Sequence, residues 1–240
     1  MKRTDIWLEV FLCDISDLLP EWINSNLLLI DNARLEKLKK LKREDDRNRC
    51  AVSGFLLYYV FSSFFQIQFE KSMIITALSG KPELNNGIMY FNLSHSGSKV
   101  AASFSNLPTG IDVEMKKPVK REVYRHCMTK QEEERLVSID ERQRDSEFIR
   151  LWTKKESFTK MTGMGLYDSF EGFSIKNCEK CLAEVWRGDK CKKIWIDSIE
   201  EENYWLSVCV DTDENLPGMN IHRISFSEIM ERIEENVLRS

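Results

Sequence analysis

Residues Gly110 to Glu114 read GIDVE, which sets two carboxylates two positions apart. In an extended segment successive side chains alternate, so Asp112 and Glu114 share one face while Ile111 and Val113 share the other. Two like charges ~6–7 Å apart along a strand repel, and a hard divalent cation held by their oxygens would relieve that repulsion. The plainer alternative is an edge strand with two solvated acids. A third acid lies in Trp152 to Lys160, WTKKESFTK. On a helix Trp152, Glu156 and Lys160 fall at i, i+4 and i+8 and share a face. Glu156 could there join the carboxylate pair, with Lys155 and Lys160 as phosphate partners. Alternatively, Glu156 and Lys160 form only a helix pair worth ~0.2–0.5 kcal/mol. Gly163 and Gly165 then end the helix and let the chain turn. A third group, Phe91 to Gly97 (FNLSHSG), brings Ser94, His95 and Ser96 together at a strand end, a set suited to a small anion.

Two other chemistries fit poorly. A Ser-His-Asp hydrolase would need Ser94 and His95 side by side, yet neighbours on a strand project oppositely, and no Gly-x-Ser-x-Gly turn is present. Cys178 and Cys181, with Cys191 beyond, lack a second pair to complete a structural zinc site, and they do not open a helix as a redox motif would. His126 and His222 read as structural or exposed.

The elements that must position these groups follow from periodicity. Residues 33–66 read as a charged helix and then a strongly apolar one, followed by strand-like MIITAL, GIMYFNLS and VAASFS. Residues 130–162 repeat the theme: a charged helix, then FIRLWTKKESFTKM, followed by strand-like FSI, LAEVW, KIWIDSI and YWLSVCV. Asn86-Gly87 between Leu84 and Ile88 predicts a two-residue hairpin turn. The tail SEIMERIEENVLRS predicts an amphipathic helix. These patterns give an α+β fold of two similar halves, 1–112 and 113–240.

Composition sets the outer limits. The 240 residues are 42% hydrophobic and 31% charged, an ordinary globular mix. No apolar run approaches the ~18–20 residues of a membrane span, and Glu9 and Asp14 break the N-terminal apolar stretch, so neither a span nor a signal peptide is read. Seven scattered cysteines argue for a reducing compartment, with the cytoplasm as the default. A net charge of −4 speaks against a nucleic-acid binder. Within that acidic chain, Lys116 to Lys130 holds six basic residues against one acid, Glu122. Such a patch suggests a local anionic ligand, or simply a solvated helix face.

Taken in order, Gly80-Lys81-Pro82, FNLSHSG, GIDVE and WTKKESFTKMTGMGL resemble the 4′-phosphopantetheinyl transferases of the surfactin (Sfp) type, over about Arg34 to Val210. The resemblance implies two similar α+β halves related by a pseudo-twofold, with the active site between them. It implies transfer of the phosphopantetheine arm of coenzyme A to a serine of an acyl- or peptidyl-carrier protein, in a monomer using Mg2+, with Mn2+ as a possible substitute. The metal ligands carried over are Asp112, Glu114 and Glu156, and the catalytic groups Glu156, Lys160 and His95. Coenzyme A contacts fall on Arg34, Lys37, Arg49, Ser94, His95, Lys155 and Lys160, with Lys81 and Pro82 in a loop at the adenine end. Glu132 matches an acid near the metal. Arg34 replaces the usual lysine, and Cys50 stands where a hydroxyl is common. Carriers of this class present an acidic helix, so Lys116 to Lys130 is the expected dock, with apolar help from Val123, Tyr124 and Met128. A coenzyme A sensor without turnover and a metal-dependent phosphohydrolase are the rival readings.

Overall fold

The computed structural model describes residues 5–163, 170–178 and 181–238. One sheet contains β1 (Leu8–Asp14), β4 (Tyr90–Ser96), β5 (Lys99–Ser105) and β11 (Asn220–Ser225), in spatial order β11-β1-β5-β4. A second contains β6 (Thr109–Met115), β7 (Ser174–Asn177), β8 (Leu182–Arg187), β9 (Lys190–Glu201) and β10 (Tyr204–Val210), in order β6-β10-β9-β8-β7. The short β2 (Ile74–Thr76) and β3 (Pro82–Leu84) pair only with each other.

Alternation along β1 explains the layering. Val10 and Leu12 face the second sheet and share a buried cluster with Ile111, Val113, Leu206 and Val208. Phe11 and Cys13 face the other way, into a core with Phe55, Leu56 and Phe61. Both faces of β1 are thus apolar, so LEVFLC lacks the polar alternation that marks a half-exposed strand. Helices α1 (Pro20–Asn26), α2 (Asn32–Lys40), α3 (Glu44–Tyr59) and α7 (Phe226–Leu238) cover that outer core. On the far side α6 (Glu141–Thr162) lays Phe158 and Met161 on the second sheet, against Ile194, Ile196 and Cys209. The smaller α4 (Arg121–Cys127) and α5 (Lys130–Ser138) pack on the first half of α6 through Tyr124, Met128, Leu136 and Phe148. The result is helix, sheet, sheet, helix. This is the α+β architecture the sequence implied: α1, α2 and α3 precede β2 to β5 in the chain, and α4, α5 and α6 precede β7 to β11.

Several local expectations change. The division at 112/113 cuts through β6, and the C-terminal residues return to the first sheet. There β11 runs parallel to β1 from Glu9↔Asn220 to Asp14↔Ser225, covering what would otherwise be an open edge. The His222 ring stacks on Phe11 and its Nε2 lies 2.7 Å from Glu9 Oε2, a structural histidine as expected. Asn86-Gly87 does turn, with Gly87 at φ 62, but joins no hairpin, because β3 pairs with β2 and β4 with β5. Among the described residues no helix is long and apolar enough to cross a membrane.

Candidate active site

The site forms where the edge of one sheet meets the edge of the other. Pairing with β10 leaves the N–H groups of Ile111, Val113 and Met115 on β6 pointing outward. Each is met by a side chain of β4 at alternate positions: Asn92 Oδ1 at 3.0 Å, Ser94 Oγ at 3.3 Å and Ser96 Oγ at 3.2 Å. Having accepted these bonds, the hydroxyls donate onward. Ser94 Oγ donates to Asp112 Oδ1 at 2.8 Å, and Ser96 Oγ to Glu114 Oε2 at 2.7 Å. Two serines two residues apart therefore fix two carboxylates two residues apart.

Helix α6 brings the third acid because Gly110 lets it. A Cβ on Gly110 would overlap the carbonyl of Ser157 and lie 2.5 Å from Met161 N. Only a bare backbone allows the helix this close to β6. The close crossing places Lys160 Nζ 2.6 Å from Asp112 Oδ1 and 3.0 Å from Ser94 Oγ. Trp152, Glu156 and Lys160, on one helix face, line a pocket of about 540 Å³ together with Asp112 and Glu114. Left-handed Gly163 ends α6, as its sequence position suggested, whereas Gly165 lies outside the described residues.

The electrostatics ask for a cation. Burial first, and then the Asp112 charge, push the Glu156 carboxyl up to about 7, although Lys160 opposes the rise. The same two causes raise Glu114. Asp112 is 3% exposed, and its Oδ2 is buried without a hydrogen-bond partner. An orphaned carboxylate oxygen facing two acids held reluctantly charged suits an oxygen-seeking divalent ion. The chain alone falls short of a finished cage: among the described residues no three His, Cys, Asp or Glu side chains already stand at metal-binding spacing. Cys178, Cys181 and Cys191 form no such group among the described residues either, and all seven cysteines are free.

Cations gather at the other end of the pocket. Arg34 and Lys37 of α2 line it, with His95, Cys50 and Ser53, while Thr76, Gly80 and Pro82 form a further wall. Burial and the nearby charges of Lys37, Arg49 and Lys160 lower the His95 pKa to about 4, so its ring is neutral near pH 7. His95 and Ser94 both line the pocket, despite adjacent positions on β4, which is the edge strand of its sheet.

Three expected ligand contacts are otherwise engaged. Arg49 sits behind His95 and donates to Gly97 O at 3.2 Å and to Asp46 Oδ1 at 2.6 Å. Lys81 faces an adjoining cavity of about 300 Å³, and its Nζ donates to Met161 O and Thr109 O at 3.2 and 3.4 Å. It thereby ties the loop to the carbonyl end of α6, where a cation is favoured. Lys155 is 1% exposed, and its Nζ spends its three protons on Glu132 Oε2, Phe170 O and Cys127 O at 2.5, 2.7 and 3.3 Å. It is a structural staple turned away from the pocket. Glu132 is its partner and also completes the capping box of α5 with Thr129. The sequence missed Asn92 and Asp31; for Asn92 the signal was its alternation with Ser94 and Ser96.

Of the basic segment, Lys117, Lys120, Arg121, Arg125 and Lys130 are exposed, whereas Lys116 is tied back to Glu200. Val123 is 39% exposed, but Tyr124 and Met128 are 1% and 2% exposed, buried because α4 needs them to pack on α6. They offer no docking surface.

Residues 108–209 match the model of the 4′-phosphopantetheinyl transferase superfamily. The chain is similar to 4′-phosphopantetheinyl transferase Sfp of Bacillus subtilis (strain 168), 28% identical over 84% of this chain and 90% of that one. It is also similar to the transferase ffp of Bacillus subtilis, 29% identical over 72% and 79%. A third relative is psf-1 of Bacillus pumilus, 28% identical over 56% and 58%.

Proposed function

We infer that this chain, a member of the 4′-phosphopantetheinyl transferase superfamily of the Sfp type, moves the 4′-phosphopantetheine arm of coenzyme A to a serine hydroxyl of a carrier protein. The product left behind is adenosine 3′,5′-diphosphate. The observation that carries the reading is the meeting of Asp112, Glu114, Glu156 and Lys160, from a strand and a helix, around one orphaned carboxylate oxygen.

Asp112, Glu114 and Glu156 would hold a divalent ion, magnesium or in its place manganese. When bound, the ion would draw charge from the diphosphate oxygens and the leaving nucleotide. The chain's own groups do the rest. Lys160, already shared between Asp112 and Ser94, is free to lean toward the diphosphate and offset charge there. His95 enters neutral, and a polyanion placed among its cationic neighbours would raise its affinity for a proton. Glu156, at the pocket beside the bound ion, takes the serine proton, directly or through a water. Arg34 and Lys37 meet the 3′-phosphate, and Pro82 borders the adenine end.

The carrier docks on the exposed bases Lys117, Lys120, Arg121, Arg125 and Lys130, which follow directly from β6. Charge there speeds encounter more than it tightens the complex. The enzyme acts as a cytoplasmic monomer, its two halves related by a pseudo-twofold. Incubating the protein with coenzyme A, Mg2+ and a panel of carriers should add the mass of one phosphopantetheine to at least one of them. Wild-type protein that modifies none and releases no adenosine diphosphate product refutes the reading. Asp112→Asn should fold and abolish transfer. Reversing Lys120 and Arg121 to Glu should weaken carrier use while sparing coenzyme A binding; equal loss of both would remove the dock.

A further inference from the structure

Asp31 belongs to no motif, yet it is the most buried acid at the cationic end of the pocket, at 1% exposed. Its two oxygens have separate partners on the same residue. Oδ1 caps α2 by accepting the Arg34 backbone N–H at 2.9 Å, and Oδ2 accepts the Arg34 Nε–H at 3.1 Å. The Arg34 side chain is 10% exposed. Its stem runs across α3 at Gly54, where a Cβ would lie 2.9 Å from Arg34 Cδ and 2.5 Å from Ile30 Cγ2. Ile30 is fully buried and cannot yield. The stem therefore lies in a slot with Asp31 at one end and bare backbone as its floor.

This arrangement leaves Arg34 with its two terminal nitrogens, which have no partner among the described residues. A guanidinium held at Nε and along its stem presents those nitrogens as a fixed fork, suited to two oxygens of one terminal phosphate. Lys37, one turn further along α2, lines the same pocket and adds a second charge. A monoester dianion has enough free oxygens for both.

We propose that Asp31 and Gly54 are positioning residues that lock the Arg34 fork, and so set the preference of this pocket for coenzyme A over its 3′-dephosphorylated form. The proposal rests on the coenzyme A reading above and deepens it. Neither residue touches the ligand; each acts through Arg34.

Asparagine at position 31 separates the two functions of the carboxylate. It has one acceptor oxygen, so keeping the cap turns an NH2 against the Arg34 Nε–H, donor against donor. Serine keeps the cap and releases the guanidinium altogether. The experiment is calorimetric binding of coenzyme A and dephospho-coenzyme A to the full chain, without carrier, for wild type, Asp31→Asn, Asp31→Ser and Gly54→Ala. Thermal unfolding of each variant is followed alongside. The ratio of the two dissociation constants should fall about tenfold in each Asp31 variant, the effect of losing one charge-assisted bond. Gly54→Ala should lower it too, and Asp31→Ser carries the test if the alanine variant does not fold. Adding Asp31→Ser to Arg34→Lys should cost no further discrimination, since the locked group is already gone. Folded Asp31 variants that discriminate as wild type does, or that lose both ligands equally, overturn this inference alone. Wild type that binds neither nucleotide overturns the coenzyme A reading and this inference with it.

Discussion

Removing the charge of Glu156 should stabilise the protein at alkaline pH, although it destroys the proposed activity. The Glu156 carboxyl stands at about 7 against 4.5 for the free group, because burial and the Asp112 charge penalise its ionised form. A rise of 2.5 units (7 minus 4.5) is worth about 3.5 kcal/mol at ~1.4 kcal/mol per unit. The group is only partly buried and shares its repulsion with Glu114, so about 1–2 kcal/mol should be realised. Between pH 4.5 and 7 the unfolded chain releases this proton while the folded chain keeps it. Stability from this source is therefore fully present below about 4.5, falls as pH rises, and levels off above about 7. Glu156→Gln cannot ionise and escapes the loss. Urea unfolding in the presence of a chelator, at pH 4.5 and pH 8, measures the gap between variant and wild type. The variant should gain ~1–2 kcal/mol on wild type between the two pH values. Adding Mg2+ at pH 8 should narrow the gap, because only wild type keeps all three acids to bind it. A gap equal at both pH values, or a wild type that is the more stable at pH 8 in chelator, would refute the electrostatic reasoning.

Gly110→Ala should cost ~1–3 kcal/mol by overpacking, and about 2–4 °C of melting temperature per kcal/mol, with transfer falling further than stability as α6 is pushed off β6. An alanine variant with wild-type melting and activity would show that the close crossing is dispensable. Lys155→Met leaves Glu132 and two carbonyls without their shared donor and should cost ~3–5 kcal/mol in urea unfolding, with Lys155→Met and Glu132→Gln together costing less than the sum of the two singly. Additive losses would dissolve the staple. The His95 ring should titrate near 4 by NMR in ligand-free protein and move upward when pyrophosphate is added. Because its folded value lies below the usual 6.5, protonation on acidification from about 6.5 toward 4 favours the unfolded chain. A resonance titrating near 6.5 would place His95 in open solvent.

The chemistry was legible because it is written at short range. GIDVE fixes two carboxylates on one strand face by alternation alone, and WTKKESFTK fixes Trp152, Glu156 and Lys160 on one helix face by the period of the helix. Those relations need no knowledge of the rest of the chain, and all five side chains line the same pocket. The same periodicity placed α2, α3, α5, α6 and most of the strands. It passed over β1 and β11, since a strand buried on both faces, or added late to an existing sheet, carries no alternation to read.

Long-range packing settled what remained. Lys155 and Glu156 are neighbours in sequence, yet a helix turns them about 100° apart, one into the pocket and the other into a buried staple. Tyr124 and Met128 look like docking residues until α4 is seen to spend them on its own core. Asp31 and Gly54 lie 23 residues apart by their numbering and gain meaning only where α3 crosses under Arg34. Local sequence determines which side chains share a face. Which of those faces ends in solvent, in core or in a pocket depends on elements distant in the chain, and only the folded structure brings them together.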